Sequence, residues 1–104
     1  MTSPTQRSLK HLRANGYRAA ITEHWNQWAR VRQDLFGIID ILAVKDGETV
    51  GVQTTSGSNV SARVQKIAES EVTPELRRAG WKIVVHGWRK DAKGKWVLRE
   101  VDCS

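Results

Sequence analysis

The chain has 104 residues, of which 39% are hydrophobic and 27% are charged, fractions typical of a folded domain rather than of a disordered chain. Its 17 lysines and arginines outnumber its 11 aspartates and glutamates, which gives a formal net charge of +6 and favours polyanionic partners. No apolar run reaches the roughly 18 residues that a membrane span needs, and the single cysteine, Cys103, cannot form an internal disulfide. We therefore expect one cytoplasmic domain over residues 1–104, with no membrane partner.

The first half of the sequence predicts one helix followed by extended segments. Ser3 is a good N-cap for a helix over about residues 4–15, and the Asn-Gly pair at its end is a stop signal. Apolar and polar residues then alternate over residues 17–25, as in a strand with one buried face. Residues 26–33 are polar and fit either a loop or an extended strand, whereas residues 35–44 are apolar on both faces and predict a central strand covered on two sides.

The second half begins with the strongest turn signal in the chain. Asp46-Gly47 stands between two strand-like runs, so residues 45–48 are predicted to form a hairpin turn that pairs residues 49–55 with the preceding strand. Helical spacing and turn residues then predict a helix, a short helix, a strand and a final edge strand, over residues 60–71, 73–80, 82–86 and 96–101. A hairpin followed by a helical crossover predicts an α/β fold, with a mixed sheet flanked by helices.

One carboxylate interrupts the apolar run. Asp40 lies between Ile39 and Ile41, where burial of a charge is costly unless that charge is paired or bound to a metal. An internal ion pair with Arg32 or Arg63 is one way to compensate this cost, and coordination of a hard divalent cation is the other. The residues alone leave both interpretations open.

Gln53 is the second unusual polar residue, since it follows an apolar stretch of the predicted partner strand. Antiparallel pairing about the predicted turn places Gln53 opposite Asp40. An amide oxygen can ligate a hard cation, and Thr55, two residues further on, points to the same face. On spacing alone, the simpler interpretation of Gln53 and Thr55 is a polar edge of the hairpin.

Asp40, a hairpin and then Gln53-x-Thr55 resemble the PD-(D/E)XK nuclease pattern, in which an aspartate is followed by Glu or Gln, any residue and Lys. The similarity covers roughly residues 4–90 and is carried by residues 34–40 and 52–56. It implies an αβββαβ restriction-endonuclease-like core and Mg²⁺- or Mn²⁺-dependent cleavage of DNA, as in small Holliday-junction-resolvase-like nucleases of archaea, phages or bacteria. The implied partner is branched or double-stranded DNA, and symmetric branched DNA favours a homodimer.

The chain departs from the family pattern at two places. Thr55 occupies the lysine position, and Lys66 on the following helix is the candidate replacement. Gln6 falls where the family often has a first-helix glutamate, so Glu23 and Asp34 are the acids that can serve instead. The catalytic residues that the resemblance implies are Asp40, Gln53, Thr55, Lys66 and Glu23, and the implied metal ligands are Asp40, Gln53, the carbonyl of Thr54, and Asp34.

Five tryptophans are many for so short a chain. Trp28 and Trp88 have basic neighbours, and aromatic and arginine side chains together can stack on unpaired bases or form a dimer contact. Trp81 and Trp96 are expected to cover the sheet as core or rim. The expected nucleic-acid-binding residues are Arg30, Arg32, Arg63, Lys66, Trp28, Trp88, Arg89 and Lys90.

Three functions follow from these observations. The first is a metal-dependent DNA endonuclease. The second is a nuclease-fold protein that binds nucleic acid without cutting it, because Thr55 and Gln53 replace the usual lysine and acid. The third is an interaction or assembly subunit, suggested by the tryptophans and the small size.

Overall fold

The fold is described for residues 2–104 in a computed structural model. Within these residues, three α-helices and seven strands follow one another along the chain. The helices are α1 (Pro4–Ala14), α2 (Val60–Glu69), which follows a single 3₁₀ turn, and α3 (Thr73–Arg78). The strands are β1 (Arg18–Ile21), β2 (His24–Asn26), β3 (Val31–Gln33), β4 (Ile41–Lys45), β5 (Glu48–Ser56), β6 (Lys82–Lys90) and β7 (Trp96–Asp102).

Five of the strands form one mixed sheet in the order β1-β4-β5-β6-β7, in which β5 and β6 are the parallel pair. The expected mixed sheet is confirmed, and β7 is an edge strand as predicted. Lys45 pairs with Glu48 across the Asp46-Gly47 turn, so the hairpin of β4 and β5 has the predicted register. β2 and β3 form a separate two-stranded sheet.

The helices cover both faces of the five-stranded sheet. Leu9 and Leu12 of α1 pack in one hydrophobic core, and Ile67 and Leu76 of α2 and α3 pack in another. β6 contributes Val84 to the first core and the two neighbouring residues to the second, because successive side chains of a strand point to opposite faces. No helix within residues 2–104 has the length and apolar character needed to cross a membrane.

The prediction of a single strand over residues 35–44 was wrong. Leu35 and Ile39 close a tight turn in which the amide of Ile39 donates to the carbonyl of Leu35 at 2.9 Å. Phe36 and Gly37 have φ angles of 54° and 78°, in the left-handed region that interrupts a strand. The run is apolar on both faces because part of it is a turn folded onto the second core, so β4 begins only at Ile41.

Other predicted boundaries also moved. The expected strand over residues 17–25 is divided between β1 and β2, and the polar residues 26–33 contain the rest of a hairpin. α2 ends at Glu69, before the expected residue 71, and the hydroxyl of Thr73 donates to the carbonyl of Ile67 at this end. β6 continues to Lys90, four residues beyond its predicted end.

The close approach of β5 to the turn before Asp40 requires a glycine. A Cβ atom at Gly51 would overlap Cδ1 of Ile39, which is fully buried. Gly51→Ala is therefore expected to lower the free energy of unfolding by about 1 to 3 kcal/mol. Ile39→Val removes the overlapping atom, so the double variant should be more stable than Gly51→Ala alone in urea unfolding. Purely additive losses would contradict this contact.

His86 is a buried polar residue between α1 and the sheet. Its Nδ1 lies 2.9 Å from Oγ of Ser8, which also accepts the indole N–H of Trp88 at 2.8 Å. Burial lowers the pKa of His86 to about 4, with a smaller contribution from the charge of His11. Oε2 of Glu100 lies 3.5 Å from Nε2, but this side chain is 52% exposed and does not offset the burial.

This neutral histidine predicts a loss of stability in acid. An ordinary histidine pKa of 6.5 in the unfolded chain means that unfolding takes up a proton between about pH 6.5 and pH 4. The stability is complete above this window and falls by about 2 to 3 kcal/mol as the pH drops through it. Urea unfolding at pH 7 and pH 4.5 should show a smaller loss for His86→Asn than for the unaltered protein. Equal losses would contradict a neutral His86.

Candidate metal centre

Three carboxylates meet beside the first residue of β4. One carboxylate oxygen each from Glu23, Asp34 and Asp40 lies within 4.8 Å of the others, and we call these residues the acidic cluster. Glu23 comes just before β2, and Asp34 comes just after β3. The hairpin of β2 and β3 starts and ends at the same place, which brings the two acids together although 10 residues separate them.

Gln53 reaches the acidic cluster from β5. Its Nε2 donates to Oδ2 of Asp40 at 2.6 Å and lies 3.5 Å from Oδ2 of Asp34. The side chain is 2% exposed, and its Oε1 is buried without a hydrogen-bond partner within residues 2–104. The predicted juxtaposition of Asp40 and Gln53 is therefore present, and it leaves one polar atom unsatisfied.

Asp40 is 4% exposed and is held by hydrogen bonds rather than by a cation. Its Oδ2 accepts the Thr54 amide at 2.8 Å and the Thr54 hydroxyl at 3.1 Å. Oγ1 of Thr54 also lies 2.7 Å from Oγ1 of Thr5, which links this contact to α1. Thr54 contacts the cluster through its amide and hydroxyl donors, so it positions Asp40.

No lysine or arginine in the described part of the chain forms an ion pair with Asp40. Arg32 lies 3.6 Å from Oε1 of Glu23, and Arg63 is half-buried on α2. The internal ion pair that the sequence left open is therefore absent from this structure. Within residues 2–104, Gln53 and Thr54 supply the hydrogen-bond donors that partly compensate the desolvation of Asp40.

Burial and, second, the hydrogen bond with the neighbouring carboxyl of Asp34 raise the pKa of Asp40 to about 7. The hydrogen bond from the Thr54 amide acts in the opposite direction and is a smaller effect. Burial acts in the same direction on Asp34, but a hydrogen bond from Asp40 and the charge of Lys66 outweigh it, so the pKa of Asp34 is lowered. The two carboxyls therefore titrate as a coupled pair, in which Asp40 takes up a proton more readily than Asp34 as the pH falls.

Lys66 is the predicted cation that comes closest to the acidic cluster. Its Nζ lies 3.4 Å from Oδ2 of Asp34, and its side chain is 40% exposed. Thr55 is buried on β5 opposite Gly87, and its side chain makes no hydrogen bond within residues 2–104. The lysine position of the pattern thus offers no charge, whereas Lys66 presents one from α2.

The donor set fits a hard divalent cation. All of its ligand atoms are oxygens, which Mg²⁺ and Mn²⁺ prefer, and Mg²⁺ is commonly bound by only one or two carboxylates. Asp40 and Asp34 supply carboxylates, and Glu23 lies beside them. Rotation of the Gln53 side-chain amide by half a revolution would exchange the positions of Nε2 and the unpartnered Oε1. The oxygen would then face the carboxylates. Such an arrangement is favourable only with a cation between the oxygens.

The predicted nucleic-acid-binding residues do not all lie on one surface. Trp88 is buried with its indole N–H bonded to Ser8, so its ring is not free to stack on a base, and that prediction was wrong. Trp28 is 89% exposed, and Arg30 and Arg32 are exposed in the same hairpin. Arg89 and Lys90 are exposed at the end of β6, where Nζ of Lys90 lies 5.4 Å from the ring centre of the edge residue Trp96.

Sequence reasoning did not find Thr5, which contacts Thr54 of the site from α1, or Ser8, which contacts His86 and Trp88. These contacts join residues more than 45 positions apart, and no local pattern signals them. Neither the protein-family models nor the curated proteins include a match to this chain.

Removal of the buried charge should stabilise the metal-free protein. In EDTA at pH 8, Asp40→Asn is expected to raise the free energy of unfolding by about 1 to 2 kcal/mol, because the amide oxygen still accepts hydrogen bonds but carries no charge. Asp46→Asn, in the exposed Asp46-Gly47 turn, is the matched control and should change little. A less stable Asp40→Asn protein in urea unfolding would show that the charge is well compensated.

Proposed function

We propose that this chain is a divalent-metal-dependent DNA endonuclease whose metal centre is the acidic cluster. The observation that carries the proposal is the buried Gln53 amide between Asp40 and Asp34, with an unpartnered oxygen. Structural carboxylates buried in a core are normally paired with cations, and Asp40 is not paired with any lysine or arginine of residues 2–104. A site built for an absent cation accounts for both features.

The topology supports a restriction-endonuclease-like core. Apart from the inserted β2–β3 hairpin, the chain runs α1, β1, β4, β5, α2, α3 and β6, which matches the αβββαβ order with one additional short helix. β4 and β5 are antiparallel, and a helical crossover then leads to the parallel strand β6. Under this proposal, Asp40 just before β4 and Gln53 on β5 would be the counterparts of the family acids.

The charge of the chain supports a nucleic-acid backbone as the substrate. The formal net charge is +6, and the side chain of Lys66 stands half in solvent beside Asp34. A phosphate at the acidic cluster would lie within reach of this ammonium group. We propose branched or double-stranded DNA as the substrate and a homodimer as the active form, since two-fold symmetry suits a four-way junction.

Each residue has a separate role in the proposed reaction. A bound Mg²⁺ or Mn²⁺ would polarise the scissile phosphate and lower the pKa of a water molecule. Asp40 and Asp34 would hold the cation, and the Oε1 of Gln53, turned toward it, would complete the site from β5. Thr54 fixes Asp40 by its amide and hydroxyl, and Lys66 neutralises charge that develops on the phosphate.

A second candidate is a nuclease-fold protein that binds DNA without cleaving it. The observation in its favour is Thr55, which is buried and uncharged at the lysine position. Lys66 forms an ion pair with Asp34, so its approach to a phosphate requires a change of partner. This candidate predicts salt-sensitive DNA binding with no cleavage in Mg²⁺ or Mn²⁺.

A cleavage assay separates the two candidates. The unaltered protein is expected to cut labelled four-way-junction or linear duplex DNA in Mg²⁺ or Mn²⁺ and not in EDTA. Asp40→Asn and Lys66→Ala should each lower the rate by on the order of 100-fold, because the first weakens binding of the cation and the second removes a positive charge beside the phosphate. Lys66→Arg should retain part of the rate, and Asp46→Asn should retain all of it. Full activity of Asp40→Asn would remove the proposed centre, and binding without any cleavage would favour the second candidate.

A further inference from the structure

The hairpin of β2 and β3 projects from the acidic cluster as a two-stranded sheet of its own. Glu23 stands at one end of this hairpin and Asp34 at the other, and the ion pair of Arg32 with Glu23 links the hairpin to its base. Whatever the hairpin binds is therefore held at a fixed distance from the candidate metal centre.

The hairpin exposes apolar surface that nothing in the described chain covers. Trp28 at the turn is 89% exposed, Trp25 is 57% exposed and Val31 is 47% exposed. Trp25 pairs with Arg32 across the two strands, so an aromatic and a basic side chain leave the same face of the hairpin. Exposed tryptophans grouped in so short a segment are typical of a binding surface.

The turn is also preorganised. Oδ1 of Asn26 accepts the amides of Trp28 at 2.9 Å and Ala29 at 3.0 Å, and its Nδ2 donates to Gln33 at 3.1 Å. These bonds close the turn and fix the backbone that carries Trp28. A fixed backbone lowers the entropy lost on binding, so the exposed indole is presented at small cost.

The charge of the hairpin selects the class of partner. Residues 24–33 contain Arg30, Arg32 and His24, and they contain no aspartate or glutamate. An aromatic platform beside guanidinium groups complements a ligand that has both π-faces and negative charge. Unpaired nucleotides combine these two properties, whereas bases within a duplex expose no face for stacking.

We infer that the β2–β3 hairpin binds an unpaired base of branched or flapped DNA by stacking on Trp28. This inference rests on the proposed function, since it assigns the substrate class of that site. Trp28 is five positions after Glu23, a distance of at most about 16 Å at 3.3 Å per residue. Cleavage therefore falls within about five nucleotides of the unpaired base, at 3.4 Å per nucleotide.

The test measures binding in EDTA, so that it does not depend on the metal centre. Two fluorescent probes are compared: a linear duplex, and the same duplex with a central three-nucleotide bulge. Trp28→Ala should bind the bulged probe about tenfold more weakly than the unaltered protein does, and its affinity for the duplex should be nearly unchanged. The affinity of Trp28→Phe for the bulged probe should lie between those of Trp28→Ala and the unaltered protein. Trp96→Ala, which removes an exposed tryptophan outside the hairpin, is the matched control and should keep the preference of the unaltered protein.

A base analogue reports the stacking directly. 2-Aminopurine in the bulge should be quenched by the unaltered protein and by Asp40→Asn, and not by Trp28→Ala. Equal weakening of bulged and duplex probes by Trp28→Ala, or quenching that survives it, would overturn the inference. A fall in particle mass of Trp28→Ala by light scattering, with binding unchanged, would also overturn it and assign the hairpin to contacts between copies. If Asp40→Asn cuts DNA normally, the proposed metal centre fails while the binding results still decide the role of the hairpin.

Discussion

A buried carboxylate without a countercharge is the constraint around which this fold is arranged. Asp40 is held by the amide of Gln53 and by two donors of Thr54, while Asp34 and Glu23 stand close enough to repel it. Such a group destabilises a folded chain unless a cation reaches it. The turn before β4, the β2–β3 hairpin and α2 each place a residue at this point, so several elements of the fold position the site.

The rest of the molecule stabilises that arrangement through two cores. α1 packs on one face of the sheet. Its Thr5 contacts Thr54 of β5, and its Ser8 contacts His86 and Trp88 of β6. α2 and α3 pack on the other face and bring Lys66 beside the acidic cluster. A strand covered on both faces is hard to displace, so β5 presents Gln53 at a defined position. Preorganisation of this kind allows a small domain to keep an unfavourable charge arrangement.

The β2–β3 hairpin gives the site a second property. Glu23 and Asp34, two of the three clustered acids, directly precede and follow this hairpin in the chain. The backbone that carries Trp28 is therefore directly connected to two of the carboxylates. Under the proposed function, this hairpin would recognise an unpaired base, and the α/β core would supply the chemistry.

The sequence by itself determined the parts of the site that depend on local geometry. Asp46-Gly47 fixes a two-residue turn, and this turn alone sets Asp40 against Gln53, because register in a hairpin follows from its loop. The apolar run over residues 35–44 did not reveal the turn over residues 35–39. A buried strand and a turn folded onto a core give the same pattern of consecutive apolar residues. Only the tertiary structure decided that Glu23 and Asp34 converge, that Trp88 is buried against Ser8 and that Arg32 pairs with Glu23 and not with Asp40. These contacts join side chains of separate elements, and their energies depend on distances that no sequence spacing encodes.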